Sequence, residues 1–167
     1  MWINNDVEQD AQVADFEALY RARYGHFLRV AILITRDQGN AHDAVQEGFA
    51  ATIRSFPSYR AEGPLEAWVW RAVVNAAKKQ QRHPSEAPLE DDDVASAQNG
   101  DAAEARLVRT WIASLPGRQR LTVYLRYYAD LDYRAIATVL DVEVGTVSAT
   151  LSAAHRSLRK TIEEVPQ

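Results

Sequence analysis

Apolar residues return along this chain at intervals of three and four, the spacing of amphipathic helices, and no stretch shows the alternation of a strand. Residues 1–14 are polar and read as frayed or partly helical. From Asp15, a candidate N-cap, apolar side chains fall at 16, 19, 20, 24, 27, 28, 31 and 32, which predicts a helix buried along one side. The cluster Asp37-Gln38-Gly39-Asn40 reads as a turn. Residues 41–56 then carry apolar side chains at 41, 44, 45, 49 and 53, with Asp43, Gln46, Glu47 and Arg54 on other faces of a second helix. Pro57 ends it, a polar loop follows from Ser58 to Gly63, and Pro64 stands where the first turn of a third helix tolerates proline. That helix, residues 65–82, mixes Trp68, Trp70, Val73 and Val74 with Arg71, Asn75, Lys78, Lys79 and Arg82.

The pattern breaks at His83. The next twenty residues hold two prolines, an acidic run and few large apolar groups, the composition of a flexible linker. Helical spacing resumes over residues 103–114 through Leu107, Trp111 and Ile112, and Leu115-Pro116-Gly117 opens another helix over 118–130. Residues 132–159 read as two helices joined by a tight turn. Tyr133, Ile136, Ala137 and Leu140 line the first, Asp141 and Val142 break the pattern, Gly145-Thr146 restarts it, and Val147, Leu151, Ala154 and Leu158 line the second. That arrangement is a helix-turn-helix, whose second helix is placed to enter a DNA major groove about 12 Å wide. The predicted fold class is therefore all-α: two small helical modules, residues 1–83 and 105–167, joined by a flexible acidic linker over 84–104, with the helix-turn-helix in the second.

Charge at first argues against a nucleic-acid partner, since the 167 residues carry a formal charge of -4. Its distribution reverses the inference. Residues 1–83 hold 10 basic and 10 acidic side chains, 84–104 hold no basic and 7 acidic ones, and 105–167 hold 9 basic and 6 acidic. The helix-turn-helix third is the basic part, and local charge governs the field that a phosphate backbone meets. A hydrophobic content of 47% is ample for helical cores. There is no apolar run near 18 residues and no charged-then-apolar leader, so neither membrane insertion nor secretion is expected and the cytoplasm is the expected location. The chain has no cysteine. His26, His42, His83 and His155 lack the pairing and acidic companions of a metal site, and no phosphate loop, nucleophile elbow or acid pair appears. The expectation is a protein without cofactor, metal or catalytic residues of its own.

Two blocks taken together resemble one family. Residues 43–56 look like the polymerase-binding helix, and residues 65–79 like the promoter-melting helix, of the small extracytoplasmic-function type of bacterial RNA polymerase sigma factor. Residues 115–159, from Leu115-Pro116-Gly117 through the helix-turn-helix, are similar to the module of that family that reads the upstream promoter element. The match covers roughly 15–83 and 105–160 in the family's order, and the short linker implies the absence of the extra domain that larger sigma factors carry there.

The resemblance implies core RNA polymerase and promoter DNA as partners, with an anti-sigma factor as a further one. It implies that Asp43, Gln46 and Glu47 face the polymerase's largest subunit, and that Trp68, Arg71, Asn75, Lys78 and Lys79 serve the -10 element, with Asn75 lining a pocket for a flipped base that the loop from Ser58 to Gly63 walls. Asn75, Lys78 and Lys79 also share a face by spacing alone, and such a face suits melting: unstacking a base costs a few kcal/mol, offset by an amide reading its edge and cations holding the backbone. For the -35 element the implied residues are Arg134, Thr146, Ser148, Ala149, Thr150, Ser152 and Arg156. The chain departs from the family at Ser148, Thr150, Ala153 and His155, where members often carry Lys or Arg, so a weaker, shape-influenced readout is expected. Arg118, Arg120, Arg126 and Arg134 are candidates for backbone contacts around that site. Two alternatives stay open on sequence alone: a stand-alone helix-turn-helix regulator, or a helical module that sequesters an anti-sigma factor.

Overall fold

The computed structural model describes residues 3–58, 63–81 and 102–164, and every regular element among them is helical. The chain divides into two compact units, residues 1–87 and 88–167. The predicted linker lies almost wholly outside the described residues, as do Arg82, His83 and residues 59–62 of the loop before the third helix.

The first unit packs three helices pairwise: α1 (Ile3–Thr35), α2 (Gln38–Ser55) and α3 (Leu65–Gln81), with a single 3₁₀ turn, Phe56–Ser58, after α2. Helix α1 begins a dozen residues before Asp15, which is therefore an interior residue and not a cap. Residues 3–14 contain neither glycine nor proline, so nothing halts propagation once the buried half has nucleated the helix. The turn into α2 is also shorter than expected. Arg36 adopts a left-handed conformation with φ 56° and donates its N–H to the Ile32 carbonyl at 2.8 Å. Asp37 is extended and its carboxylate accepts the Asn40 N–H at 2.7 Å, so Gln38, Gly39 and Asn40 already belong to the first turn of α2.

Aromatic rings fill the centre of this unit. Phe27 lies 4.2 Å from Trp70 and 5.2 Å from Phe49 between ring centroids, with Val30, Val45, Val69, Val73 and Val74 fully enclosed around them. Helices α2 and α3 approach each other closely at Gly48. A Cβ placed there would sit 2.6 Å from Val73 Cγ2 and 2.7 Å from Val73 Cα, so only glycine permits the approach. Helix α2 accordingly buries Ala41, Ala44, Val45, Gly48, Phe49 and Thr52. The apolar spacing had placed Ile53 in that stripe. Thr52 takes the inward position instead, its hydroxyl donating to the Gly48 carbonyl at 2.6 Å, and Ile53 is 49% exposed.

In the second unit α7 (Val144–Glu163) is the spine, against which α4 (Ala102–Ser114), α5 (Gly117–Val123) and α6 (Tyr133–Leu140) all pack. The core is built from Leu121, Val123, Leu125, Leu131, Ile136, Val139, Val147, Leu151 and Ala154. The helix expected to run over 118–130 changes character at Tyr124, where a π-helical turn covers Tyr124–Tyr128. Its closing bond, from the Ala129 N–H to the Tyr124 carbonyl at 2.9 Å, spans five residues. A left-handed Asp130 with φ 56° then releases the chain and lets Leu131 bury itself.

Helices α6 and α7 are bent by 100° across three residues, within the range of a helix-turn-helix. Asp132 caps α6 by accepting the Ala135 N–H at 2.7 Å. Asp141 makes the turn itself, left-handed at φ 56°, while the Val142 N–H reaches the Ala137 carbonyl at 3.0 Å. Gly145, which marked the restart in the sequence, lies within α7 with open space where a side chain would go. Two expected core positions differ. Tyr133 is 39% exposed and Leu107 is 49% exposed, while Ala135, Ile136, Ala137 and Val139 supply the inner face of α6. No single described helix is long and apolar enough to cross a membrane.

Candidate protein and nucleic-acid interfaces

The outer face of α2 follows from the close packing of its inner face. With Gly48 pressed against Val73, residues on the opposite side cannot bury, and Asp43, Gln46 and Glu47 all stand exposed. Glu47 Oε1 receives Arg54 Nη2 at 3.0 Å, an ion pair between side chains 57% and 65% exposed. Such a pair contributes little to folding and is readily exchanged for an external partner. Ile53 sits on the same stripe as Asp43, Gln46, Glu47 and Arg54, so the face combines acidic, amide, cationic and apolar groups.

On α3 the expected functional residues share one face. Trp68, Arg71, Asn75, Lys78 and Lys79 lie opposite Ala67, Val69, Trp70, Val73, Val74 and Ala77, which are buried. Asn75, Lys78 and Lys79 are exposed, whereas Trp68 and Arg71 are half-buried. The Trp68 ring lies 6.1 Å from Phe56, whose ring meets Phe16 edge-on at 5.3 Å, so Trp68 is part core and part surface. Glu66 anchors the start of this helix to α1, accepting Arg23 Nε at 2.8 Å and Trp70 Nε1 at 3.3 Å. The carbonyl of Pro64 accepts the Ala67 N–H at 3.0 Å.

On α7 the exposed face at the N-terminal end is small and neutral. Ser148, Ala149 and Ser152 are exposed, Arg156 continues the face, and Thr146 and Thr150 are half-buried. The Thr150 hydroxyl donates to the Thr146 carbonyl at 2.7 Å, so its hydrogen is spent within the helix. Arg134, near the start of α6, is exposed with no ion-pair partner among the described residues, as is Arg118 at the start of α5. The other two candidate arginines have work of their own. Arg120 donates to the Ala113 carbonyl at 3.0 Å, and Arg126 donates to the Leu131 carbonyl at 3.3 Å.

The described histidines are packing or surface groups: His42 Nδ1 is hydrogen-bonded to the Tyr24 hydroxyl, and His155 Nε2 to Tyr127 at 2.9 Å. His26 is held below the usual imidazole range, first by burial and then by the nearby cations Arg23 and Arg29. No group of His, Asp or Glu among the described residues is arranged to hold a metal. Sequence reasoning missed Gly48, although a glycine amid a strong helical pattern is a signal of close backbone approach. It also missed the Glu47–Arg54 pairing, legible as two opposite charges seven residues apart on one helical face. Nothing in the sequence marked Tyr127, because the π turn that presents it has no signature of its own.

Family models match both units: Sigma-70 region 2 over residues 19–85, and Sigma-70 region 4 over residues 105–158. The "ECF RNA polymerase sigma-E factor" of Escherichia coli (strain K12) is 30% identical over 164 residues, covering 84% of this chain and 83% of that protein. The chain belongs to the ECF sigma factors. The Haemophilus influenzae sigma-E factor is similarly related to this sigma factor, at 30% identity over 155 residues, with 81% of this chain and 82% of that protein covered. Two solved structures share its fold, both at 19% identity. CnrH in complex with the cytosolic domain of CnrY gives a TM-score of 0.68 over 95% of this chain and 97% of that one. The sigma factor RpoE in complex with the anti-sigma factor NepR from Bartonella quintana gives 0.69 over 91% and 99%. This sigma factor thus works with core RNA polymerase and promoter DNA, directing initiation at promoters, in a family of non-catalytic initiation factors.

Proposed function

We propose that this sigma factor divides its work among three helical faces. The α2 stripe of Asp43, Gln46 and Glu47 docks on core polymerase. The α3 face of Trp68, Arg71, Asn75, Lys78 and Lys79 takes the -10 strand, with Asn75 at the flipped base. The α6–α7 pair, through Arg134, Thr146, Ser148, Ala149, Thr150, Ser152 and Arg156, reads the -35 duplex. Residues 1–83 and 105–167 are the working modules and 84–104 the tether. The chain supplies no chemistry of its own, acts in the cytoplasm, and is held inactive by an anti-sigma factor.

The observation that carries this reading is the exposure of Asp43, Gln46 and Glu47 on the side of α2 turned away from Gly48. Three adjacent polar groups on a helix whose other side is closed leave the fold nothing to lose on docking, and an acidic, amide-bearing stripe complements a basic partner. Glu47 would exchange Arg54 for that partner.

In vitro transcription with purified core polymerase tests the whole assignment. Promoter-dependent transcripts should appear only when this chain is added, and Asp43→Lys should reduce core binding roughly tenfold, a loss of about 1.4 kcal/mol, while leaving the helical content intact. Full core affinity in the variant would refute the docking face. Specific duplex binding by the chain without core enzyme would favour a stand-alone regulator.

A further inference from the structure

Tyr127 is 61% exposed on the π turn, yet it is held from two sides. Its hydroxyl lies 2.9 Å from His155 Nε2 on α7, with the two ring centroids 5.8 Å apart. The Arg126 guanidinium lies 5.7 Å from the ring centroid, and is itself fixed by the Leu131 carbonyl at 3.3 Å and the Asp130 carboxylate at 3.7 Å. The core does not need this arrangement, since Leu125 and Ala129 on the same turn are fully buried and fill it. An exposed aromatic with a fixed ring and a fixed hydroxyl is preorganised to meet something outside the fold.

The chemistry of the pair identifies what it would meet. If the Tyr127 hydroxyl donates to Nε2, the imidazole keeps its proton on Nδ1 and that N–H remains as a donor. If Nε2 donates to the tyrosine oxygen, the phenolic O–H remains instead. In either tautomer one donor is left over, and the Arg126 and Arg156 charges stand close in sequence to the two members of the pair. A surplus donor beside cations suits an anion.

Position along α7 narrows the anion to a DNA phosphate. Ser148, Ser152 and His155 follow at spacings of four and three on one exposed face, and His155 stands about 10 Å along the helix from Ser148. The major groove is about 12 Å wide, so with Ser148 and Ser152 at base edges the pair falls at the groove rim, where the phosphates run. Between Val144 and Ala154 the helix carries no cation at all, which leaves anchoring to residues at that rim.

We propose that Tyr127 and His155 act as one phosphate-binding unit of the promoter-reading surface, donating a hydrogen bond to the backbone of the -35 duplex and so fixing the register of α7 in the groove. This rests on the reading that α7 enters that groove. The unit replaces, with an oriented neutral donor, a cation that this helix lacks.

The test uses holoenzyme assembled from core RNA polymerase and the full chain, with duplexes enriched by that holoenzyme from a random pool as the probe, and scrambled duplexes as the comparison. Binding is followed by fluorescence anisotropy against salt concentration, alongside the unfolding temperature of each free variant and its affinity for core. Tyr127→Phe and His155→Ala should each weaken binding about tenfold, equally for enriched and scrambled duplexes, with core affinity unchanged. His155→Arg should restore affinity and steepen the dependence of log K on log salt by about one, because a cation releases a counterion where a neutral donor does not. Wild-type binding by both Tyr127→Phe and His155→Ala overturns the proposal. So does a loss that tracks a lowered unfolding temperature and is not rescued by His155→Arg, which would make the pair a structural brace, or a loss confined to core affinity, which would make it a protein contact. Ser148→Asp with Ser152→Asp separates the two levels: no effect from that variant means α7 is not in the groove and the proposal falls with that reading, whereas a strong effect with a silent His155→Ala refutes the phosphate unit alone.

Discussion

Replacing glycine by alanine at two positions of the first unit should have opposite outcomes, because only one of them lies where helices meet. At Gly25, in the middle of α1, an added Cβ has nothing within 4 Å. Alanine there gains helix propensity of up to about 1 kcal/mol and changes no contact. At Gly48 the same atom meets Val73 Cγ2, Cα and N at 2.6, 2.7 and 2.8 Å. Carbon contacts are relaxed at about 3.5–4.0 Å, so the α2–α3 crossing must open by nearly 1 Å. Rotating the Val73 side chain relieves only the first of these contacts; the other two are to backbone. Overpacking costs about 1–3 kcal/mol, and a backbone clash belongs at the upper end. Setting about 3 kcal/mol of strain against about 1 kcal/mol of propensity leaves a net destabilisation near 2 kcal/mol. Hydrogen exchange read by peptide isolates this unit from the other: amides of 41–52 and 69–77 should lose protection about 30-fold in Gly48→Ala and gain about fivefold in Gly25→Ala, while amides of 147–154 serve as an unaffected reference. Protection in Gly48→Ala equal to or above wild type would show that the crossing has slack, and would refute both the close approach and the account of why the outer face of α2 stays exposed.

Other consequences are open to direct measurement. Asp132→Ala removes the carboxylate that accepts the Ala135 N–H, and should lower the stability of the helix-turn-helix by about 1 kcal/mol, seen as faster exchange in α6 with the first unit unchanged. His26 is depressed in the folded chain by burial and by Arg23 and Arg29, so the unfolded chain binds its proton more readily: the first unit keeps this contribution above about pH 6.5, the ordinary imidazole value, and loses it as pH falls through the lower folded value. His26→Gln should flatten that acid-side decline in a pH series of thermal melts, and an unchanged slope would remove His26 as its cause. Asn75→Ala should leave core binding intact but reduce open-complex formation, read by permanganate reactivity of the -10 region, by at least tenfold; normal opening would exclude Asn75 from the flipped-base pocket.

Much of this architecture can be read from residue spacing, and the exceptions share a cause. Periodicity locates α2, α3, α6 and α7 because each buries one face, and burial is what imposes a period on sequence. It misjudges where a helix ends when the ending depends on a single backbone conformation. Arg36, Asp130 and Asp141 make three turns in left-handed geometry, and none is the glycine that would have announced it. Ile53 and Tyr133 are apolar enough to be assigned inward, yet Ile53 lies one position past the buried Thr52 and Tyr133 is the first residue of α6, ahead of its first buried position, Ala135.

The sites divide along the same line. Asp43, Gln46, Glu47, Asn75, Lys78 and Lys79 are singled out in the sequence by the family resemblance, and spacing alone then gathers each set on one face of its helix. Tyr127 and His155 are 28 residues apart on different elements, and Gly48 matters only through Val73 on another helix. What the sequence by itself determined is therefore the helices, their polar and apolar faces and, through the resemblance carried by residues 43–56, 65–79 and 115–159, the family. What only the tertiary structure decided is which faces meet and how closely, because a crossing distance or a pair of distant side chains depends on how helices pack, and packing leaves no period in the chain.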